Sequence, residues 1–206
     1  MIDPRETEQG SGAWFTAKLG KVSSSRIHAA IAPESSEMRA TYMAELAAER
    51  LSGEITQHGD SYAMARGREL EEEAANAYEA RHAFMFLERI GFVPHPTIPN
   101  AGASPDRLVG PKGLAEFKCL KSAIHIKTIL NGYIKVDYKE QCLWQLACTG
   151  RDWCDYASYD PRWPAHLQLK VIRIERDEEW IADAEAKVIV FLEELDAMVR
   201  RLMEVA

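Results

Sequence analysis

No stretch of the chain approaches eighteen uninterrupted apolar residues, so a membrane-spanning helix is excluded. Cysteine is scarce: Cys119, Cys142, Cys148 and Cys154 form no C-x-x-C pair, and no histidine stands at zinc-finger spacing from them. A structural zinc site and a secreted disulfide framework are therefore both excluded, and buried free thiols are expected. Internal repeats, Gly/Ser linkers and long polar runs are also missing, so a single domain over residues 1–206 is expected. The first ten residues carry Asp3, Arg5, Glu6 and Glu8 and lack the apolar centre of a secretory signal, which points to a cytoplasmic location.

What is present is an ordinary globular composition, 47 % apolar and 28 % charged, with a net charge of −7. That charge argues against nucleic acid until its distribution is read. Residues 107–139 hold seven basic side chains (Arg107, Lys112, Lys118, Lys121, Lys127, Lys135, Lys139) against Glu116 and Asp137. Residues 175–206 hold ten acids against four bases. A basic middle beside an acidic tail suits one positive groove on an otherwise repelling surface; two unrelated solvated faces would give the same count.

The first third reads as helix. Ser23-Ser24-Ser25 offers caps for a short helix over 26–31 that Pro33 stops, and Ser36 can cap a second that Gly53 ends. In the second, Met38, Tyr42, Ala44 to Leu46 and Leu51 fall near one face. A third helix is expected over 60–82, with Tyr62, Leu70, Ala74, Ala77 and Tyr78 inward. Short β-prone segments follow at 84–87 and 90–93, then Pro94, Pro96 and Pro99. Gly110-Pro111-Lys112-Gly113 is a turn between strands at 106–109 and 114–119. Helices are expected near 123–130 and 137–148, strands at 152–159 and 166–174, and a long amphipathic helix from Ile181 to Leu202. This order defines a mixed sheet covered by helices, an α/β or α+β domain.

The chemistry gathers at Ser104-Pro105-Asp106 and Glu116-Phe117-Lys118. On a strand, Glu116 and Lys118 project from one face and Phe117 from the other. Asp106 starts the preceding arm of the same hairpin, where its carboxylate can lie beside that of Glu116. A hard divalent cation relieves the repulsion of two such carboxylates, and the lysine can stabilise charge building on a phosphate. The acid-x-Lys pattern alone is weak, because Asp137-Tyr138-Lys139 and Glu185-Ala186-Lys187 repeat it on expected helices. Only Glu116 lies in an apolar strand downstream of the chain's single Pro-Asp. An exposed hairpin of mixed charge is the competing reading.

The blocks Gly102-Ala103-Ser104-Pro105-Asp106-Arg107-Leu108-Val109 and Gly113-Leu114-Ala115-Glu116-Phe117-Lys118-Cys119 resemble the PD-(D/E)XK nucleases. More narrowly they resemble the lambda-type phage exonucleases, also called YqaJ-like viral recombinases. Trp14 with Leu19-Gly20 and Ser23-Ser24-Ser25 is similar to that family's N-terminal segment, and residues 67–74 to its G-x-x-x-E-x-x-A helix. Thr149-Gly150-Arg151-Asp152-Trp153-Cys154-Asp155-Tyr156 and Ser158-Tyr159-Asp160-Pro161-Arg162 are similar to its T-G-R-D-W-C-D…Y-D-P-R signature.

The resemblance implies a PD-(D/E)XK core and a Mg²⁺-dependent 5′-to-3′ exonuclease acting on one strand of duplex DNA. Two ions, with Mn²⁺ as a substitute, are implied at Asp106, Glu116, the Phe117 carbonyl and Glu71. Lys118 matches the catalytic lysine, and Gln141 the glutamine on the following helix. Ser25 and Lys18 match the residues that hold the 5′-phosphate, with Lys18 standing where the family has arginine and Arg26 as its possible replacement. Ser104 can donate to a phosphate, and His125 can touch the DNA backbone. Trp144 and Trp153 are expected in the core, and Trp163 as an exposed wedge or subunit contact. A homotrimeric ring around DNA and a single-strand annealing partner are also implied. A structure-specific or restriction-like endonuclease and a non-catalytic DNA-end adaptor are the alternatives.

Overall fold

The computed structural model describes residues 3–4, 7–56, 62–82 and 86–205. Helix α1 (Gly12–Lys18) leads into strand β1 (Val22–Ser23), a 3₁₀ turn at Ser24–Arg26 and the short α2 (Ile27–Ala30). Helices α3 (Glu37–Ser52) and α4 (Tyr62–Arg81) follow, then β2 (Leu87–Glu88), β3 (Val93–Pro94), β4 (Ala101–Ala103), β5 (Arg107–Val109) and β6 (Gly113–Lys118). The chain continues through α5 (Ser122–Asn131), α6 (Val136–Thr149), β7 (Trp153–Tyr159), β8 (Leu169–Glu175) and α7 (Glu178–Met203). Asp60, Phe84 and Met85, which the sequence reading placed in a helix and a strand, lie outside the described residues.

The main sheet has the order β2-β5-β6-β7-β8 and is mixed: β6 and β7 run parallel and the other neighbours antiparallel. Its two faces explain the alternation along β6. Ala115 and Phe117 pack with Ala74 and Tyr78 of α4, whereas Leu114 packs with Cys142, Leu143 and Leu146 of α6. Glu116, one step from Leu114 on the same face, is thereby aimed at α6. A third cluster joins α2, α3, α6 and α7, with Tyr42, Leu46, Trp144, Val188 and Phe191 at its centre. No helix among the described residues is long and apolar enough to cross a membrane.

Helix α7 is the element most clearly dictated by sequence. Asp177 caps it by accepting from the Trp180 N–H at 3.0 Å; Glu178 and Glu179 occupy its first turn and Arg200 and Arg201 its last, matching the helix dipole. Ser36 stands at the N-cap of α3 but makes no side-chain capping bond. The inward face of α3 also differs from the apolar pattern: Met38 and Leu51 are exposed, while Arg39 and Glu49 are buried. Arg39 makes a two-pronged pair with Glu194 of α7, at 2.7 and 3.0 Å, and Glu49 accepts the Gly20 and Thr56 N–H groups. Cys142, Cys148 and Cys154 are buried, Cys119 is half-buried, and all four are free.

A small second sheet, β1-β4-β3, braces the approach to Ser104. Its strands touch so closely that Gly102 has no room for a side chain: a Cβ there would stand 2.4 Å from Phe92 Cζ and 2.5 Å from the Val93 carbonyl oxygen. Backbone cannot yield as a flexible side chain does. Gly102→Ala is therefore expected to destabilise the fold by about 1–3 kcal/mol, lowering a thermal midpoint by several degrees.

One of the family-like blocks, Thr149 to Asp155, holds the scaffold. Arg151 donates to the Gly110 and Gly113 carbonyls, both at 2.7 Å, and so pins the turn of the β5–β6 hairpin. Buried Asp155 accepts from Arg173 at 2.9 and 3.0 Å and from the Tyr78 hydroxyl at 2.7 Å, tying α4 to the sheet.

Candidate active site

The β5–β6 hairpin brings the sequence-predicted acids together. Glu116 is only 2 % exposed, which removes the reading of an exposed hairpin. A carboxylate so placed must be fully partnered, because burying an unpaired charge is prohibitive. Three nitrogen donors satisfy it. Lys118 Nζ and Gln141 Nε2 each donate to Oε1 at 2.6 Å, and Gln145 Nε2 donates to Oε2 at 2.6 Å. Gln141 and Gln145 are one helical turn apart on α6, so one amide reaches each oxygen.

Asp106 stands beside this group and is half-buried; its Oδ2 accepts the Phe117 N–H at 2.7 Å. Burial first, and then the charges of Glu116 and Glu71, push its carboxyl well above the ordinary range. Glu71, on α4, is raised for the same leading reason, burial, although Arg107 opposes it. Arg107 Nη1 donates to Glu71 Oε1 at 3.1 Å and to the Asp106 carbonyl at 2.6 Å, while Nη2 pairs with Glu72. This buried arginine thus fixes the helix glutamate against the hairpin. Burial lowers the pKa of Lys118, but Glu116 and Asp106 outweigh it and hold the ammonium above its usual value. The ammonium also lies 4.9 Å from the centre of the Tyr138 ring.

Among the described residues no set of three or more His, Cys, Asp or Glu side chains stands close enough to hold an ion. Two crowded carboxylates are nevertheless the protein share that Mg²⁺ ordinarily takes, and their all-oxygen chemistry and mutual repulsion fit a hard divalent cation.

Some of the residues expected to hold a DNA end share a second neighbourhood. Trp14 Nε1 donates to Ser104 Oγ at 2.9 Å, and Lys18 Nζ lies over the same indole at 4.8 Å. Burial lowers the pKa of Lys18; Glu49 opposes the shift and Arg26 adds to it. Arg26 pairs with Glu45 at 2.9 Å and covers the Tyr42 ring. Ser25 is exposed, on a turn that packs against α6. Gln9 reaches the Pro105 carbonyl at 2.9 Å and braces the strand entering the site.

His125 is a correction. Its ring is wholly buried, with Nδ1 2.7 Å from Ser158 Oγ and Nε2 2.8 Å from the Leu167 carbonyl, so it joins α5 to the sheet and presents nothing to DNA. Trp163 is half-buried rather than a protruding wedge, and its indole N–H donates to Asp160 at 3.2 Å. The count of bases over 107–139 also overstates the positive surface: Arg107, Lys112 and Lys118 pair with Glu71, Asp152 and Glu116. Gln145 and Arg107 escaped the sequence reading of the site. The first carries a usable signal, a second glutamine four residues after Gln141; the second carries none, since its partners lie 35 and 36 residues away.

A mixed sheet between helices, with an aspartate on one hairpin arm and Glu-x-Lys on the next strand, defines the PD-(D/E)XK fold class. The chain belongs to the YqaJ-like viral recombinase family, whose domain matches residues 13–152. It is similar to the alkaline exonuclease LHK-Exo of Laribacter hongkongensis, with 43 % identity, a TM-score of 0.88, and coverage of 94 % of this chain and 97 % of that one. A structure of LHK-Exo in complex with dAMP matches at the same identity and TM-score, over 95 % and 100 % of the two chains. A phage-related exonuclease from Haemophilus somnus shares the fold at 16 % identity, with a TM-score of 0.68 over 88 % and 96 %. Comparison with curated proteins finds no match.

Proposed function

We propose that this chain is a Mg²⁺-dependent 5′-to-3′ exonuclease that degrades one strand of duplex DNA to 5′-mononucleotides. The observation that carries the reading is Glu116: a buried carboxylate, oriented by two amides and one lysine, beside an aspartate that burial and repulsion leave short of positive charge. A fold needs no such arrangement, because an apolar pair of the same size would cost less. The dAMP bound to LHK-Exo fits a nucleotide product.

Asp106, Glu116, the Phe117 carbonyl and Glu71 would hold the metal, two ions with Mn²⁺ as a substitute. When bound, Mg²⁺ supplies Lewis-acid stabilisation of the phosphate and a nucleophile at neutral pH. The chain's own groups do the rest. Gln145 and Gln141 set the plane of the Glu116 carboxylate, and Arg107 sets Glu71. Lys118, kept cationic by its two acids, stabilises the charge that gathers on the phosphate oxygens. Lys18, Ser25, Arg26 and Ser104 hold the 5′ end, with Lys18 acting as a point charge. The products suit strand annealing: a 3′ overhang passes to a single-strand annealing protein, and a homotrimeric ring acting in the cytoplasm keeps the DNA enclosed.

The test uses strand-labelled linear duplex, with and without a 5′-phosphate, and a closed circle, each in Mg²⁺ and in EDTA. The expected result is mononucleotide release from the 5′ end of the linear substrate, in Mg²⁺ only. Cutting of the closed circle would establish an endonuclease instead, and binding without hydrolysis an adaptor.

A further inference from the structure

Strand β7 sends one more side chain to the face that carries Glu116. Tyr156 is the register partner of Glu116 in the parallel β6–β7 pair, so both side chains leave the sheet toward α6. There Tyr156 packs with Leu114, Cys142, Leu143 and Ile174 and is wholly buried. Its hydroxyl nevertheless has no hydrogen-bond partner among the described residues, whereas Glu116 beside it takes three donors. A buried hydroxyl left unpaired costs stability, and phenylalanine would fill the same space without that cost. Packing alone therefore does not explain a tyrosine here.

Its neighbours do. Lys118 lies two residues beyond Glu116 on β6, on the same face and diagonal to Tyr156. The ammonium carries three donors, gives one to Glu116 Oε1 at 2.6 Å, and rests 4.9 Å from the centre of the Tyr138 ring. That ring stacks on Tyr156, with centroids 6.3 Å apart and planes inclined by 24°. Burial raises the pKa of the Tyr156 hydroxyl, and the charge of Lys118 is the largest influence against the rise, so the two groups feel each other. The Lys118 side chain is mostly buried, and a buried ammonium cannot leave its carboxylate without a second acceptor. The Tyr156 oxygen is such an acceptor.

We infer that Tyr156 is a positioning residue whose hydroxyl accepts the Lys118 ammonium when Glu116 Oε1 is given over to a divalent cation. The lysine then stays beside the reacting phosphate and no longer competes for the carboxylate. This deepens the nuclease reading above and rests on it.

The experiment is calorimetric titration of Mg²⁺ into the full chain, without DNA, for wild type, Tyr156→Phe, Lys118→Met and the double variant. Tyr156→Phe should bind Mg²⁺ roughly tenfold more weakly, the worth of one hydrogen bond to a charged group. Its metal-free melting point should equal or exceed that of the wild type, because the hydroxyl has no bond to lose there. In Lys118→Met no ammonium needs a new partner, so adding Tyr156→Phe should leave Mg²⁺ affinity unchanged. A side chain that only packs would change affinity equally in both backgrounds. If Lys118→Met does not fold, the affinity and melting point of Tyr156→Phe decide alone. Wild-type Mg²⁺ affinity in Tyr156→Phe, a lower metal-free melting point, or an equal loss in both backgrounds overturns the inference and leaves the nuclease reading intact. Failure of the wild type itself to bind Mg²⁺ overturns that reading, and the inference with it.

Discussion

Lys118→Met is expected to slow nucleotide release by roughly 10²–10³-fold, the usual cost of removing one preorganised donor from a developing negative charge. It should do so without losing the cation. In the structure the lysine ammonium occupies Glu116 Oε1 at 2.6 Å, so it and a metal draw on the same oxygen. Removing it leaves a buried carboxylate with two neutral amides, and breaking a buried pair costs about 3–5 kcal/mol. The metal-free variant should therefore melt well below the wild type, and Mg²⁺ should raise its melting point more than it raises that of the wild type. Paired melting curves and product assays check both halves. A variant that melts like the wild type and cuts at its rate would show that the ammonium takes no part.

Glu116→Gln should be more damaging still. The substitution keeps the shape and deletes the charge, so Lys118, Gln141 and Gln145 would then direct three donors at an amide with a single acceptor oxygen. One donor must be left unsatisfied or turn away, which costs about 1–3 kcal/mol of stability. Loss of the cation's contribution to the reaction, on the order of 5 kcal/mol, corresponds to a rate drop of roughly 10³–10⁴. Mononucleotide release should be barely measurable, and calorimetric titration should show weakened Mg²⁺ binding. Retention of Mg²⁺ binding by this variant would move the metal away from the hairpin.

The parts of the fold that could be read in advance are those whose residues repeat on a period. The stripe from Ile181 to Leu195 made α7 visible, and the turn at 110–113 marked the β5–β6 hairpin. The strand period of two then put Glu116 and Lys118 on one face, where the structure has them in contact. Strands β1 and β4 are hidden because they are two and three residues long, built from Val, Ser, Ala and Gly, and defined by pairing with each other and, for β4, with β3. The buried face of α3 was misread because Arg39 finds Glu194, 155 residues away, and no local pattern announces such a partner. The same limit explains His125, whose burial depends on Ser158 and Leu167, and Arg107, whose charge is absorbed by α4. Local periodicity reports which face a residue occupies; it does not report what stands opposite.

The proposed cation seat lies between Asp106 and Glu116, with Lys118 at its edge. Crystals soaked in Mn²⁺ and measured at the manganese absorption edge test it directly. An anomalous peak is expected between the two carboxylates, with the Lys118 ammonium withdrawn from Glu116 Oε1. A peak elsewhere on the chain, with the lysine still paired to the glutamate, would contradict it.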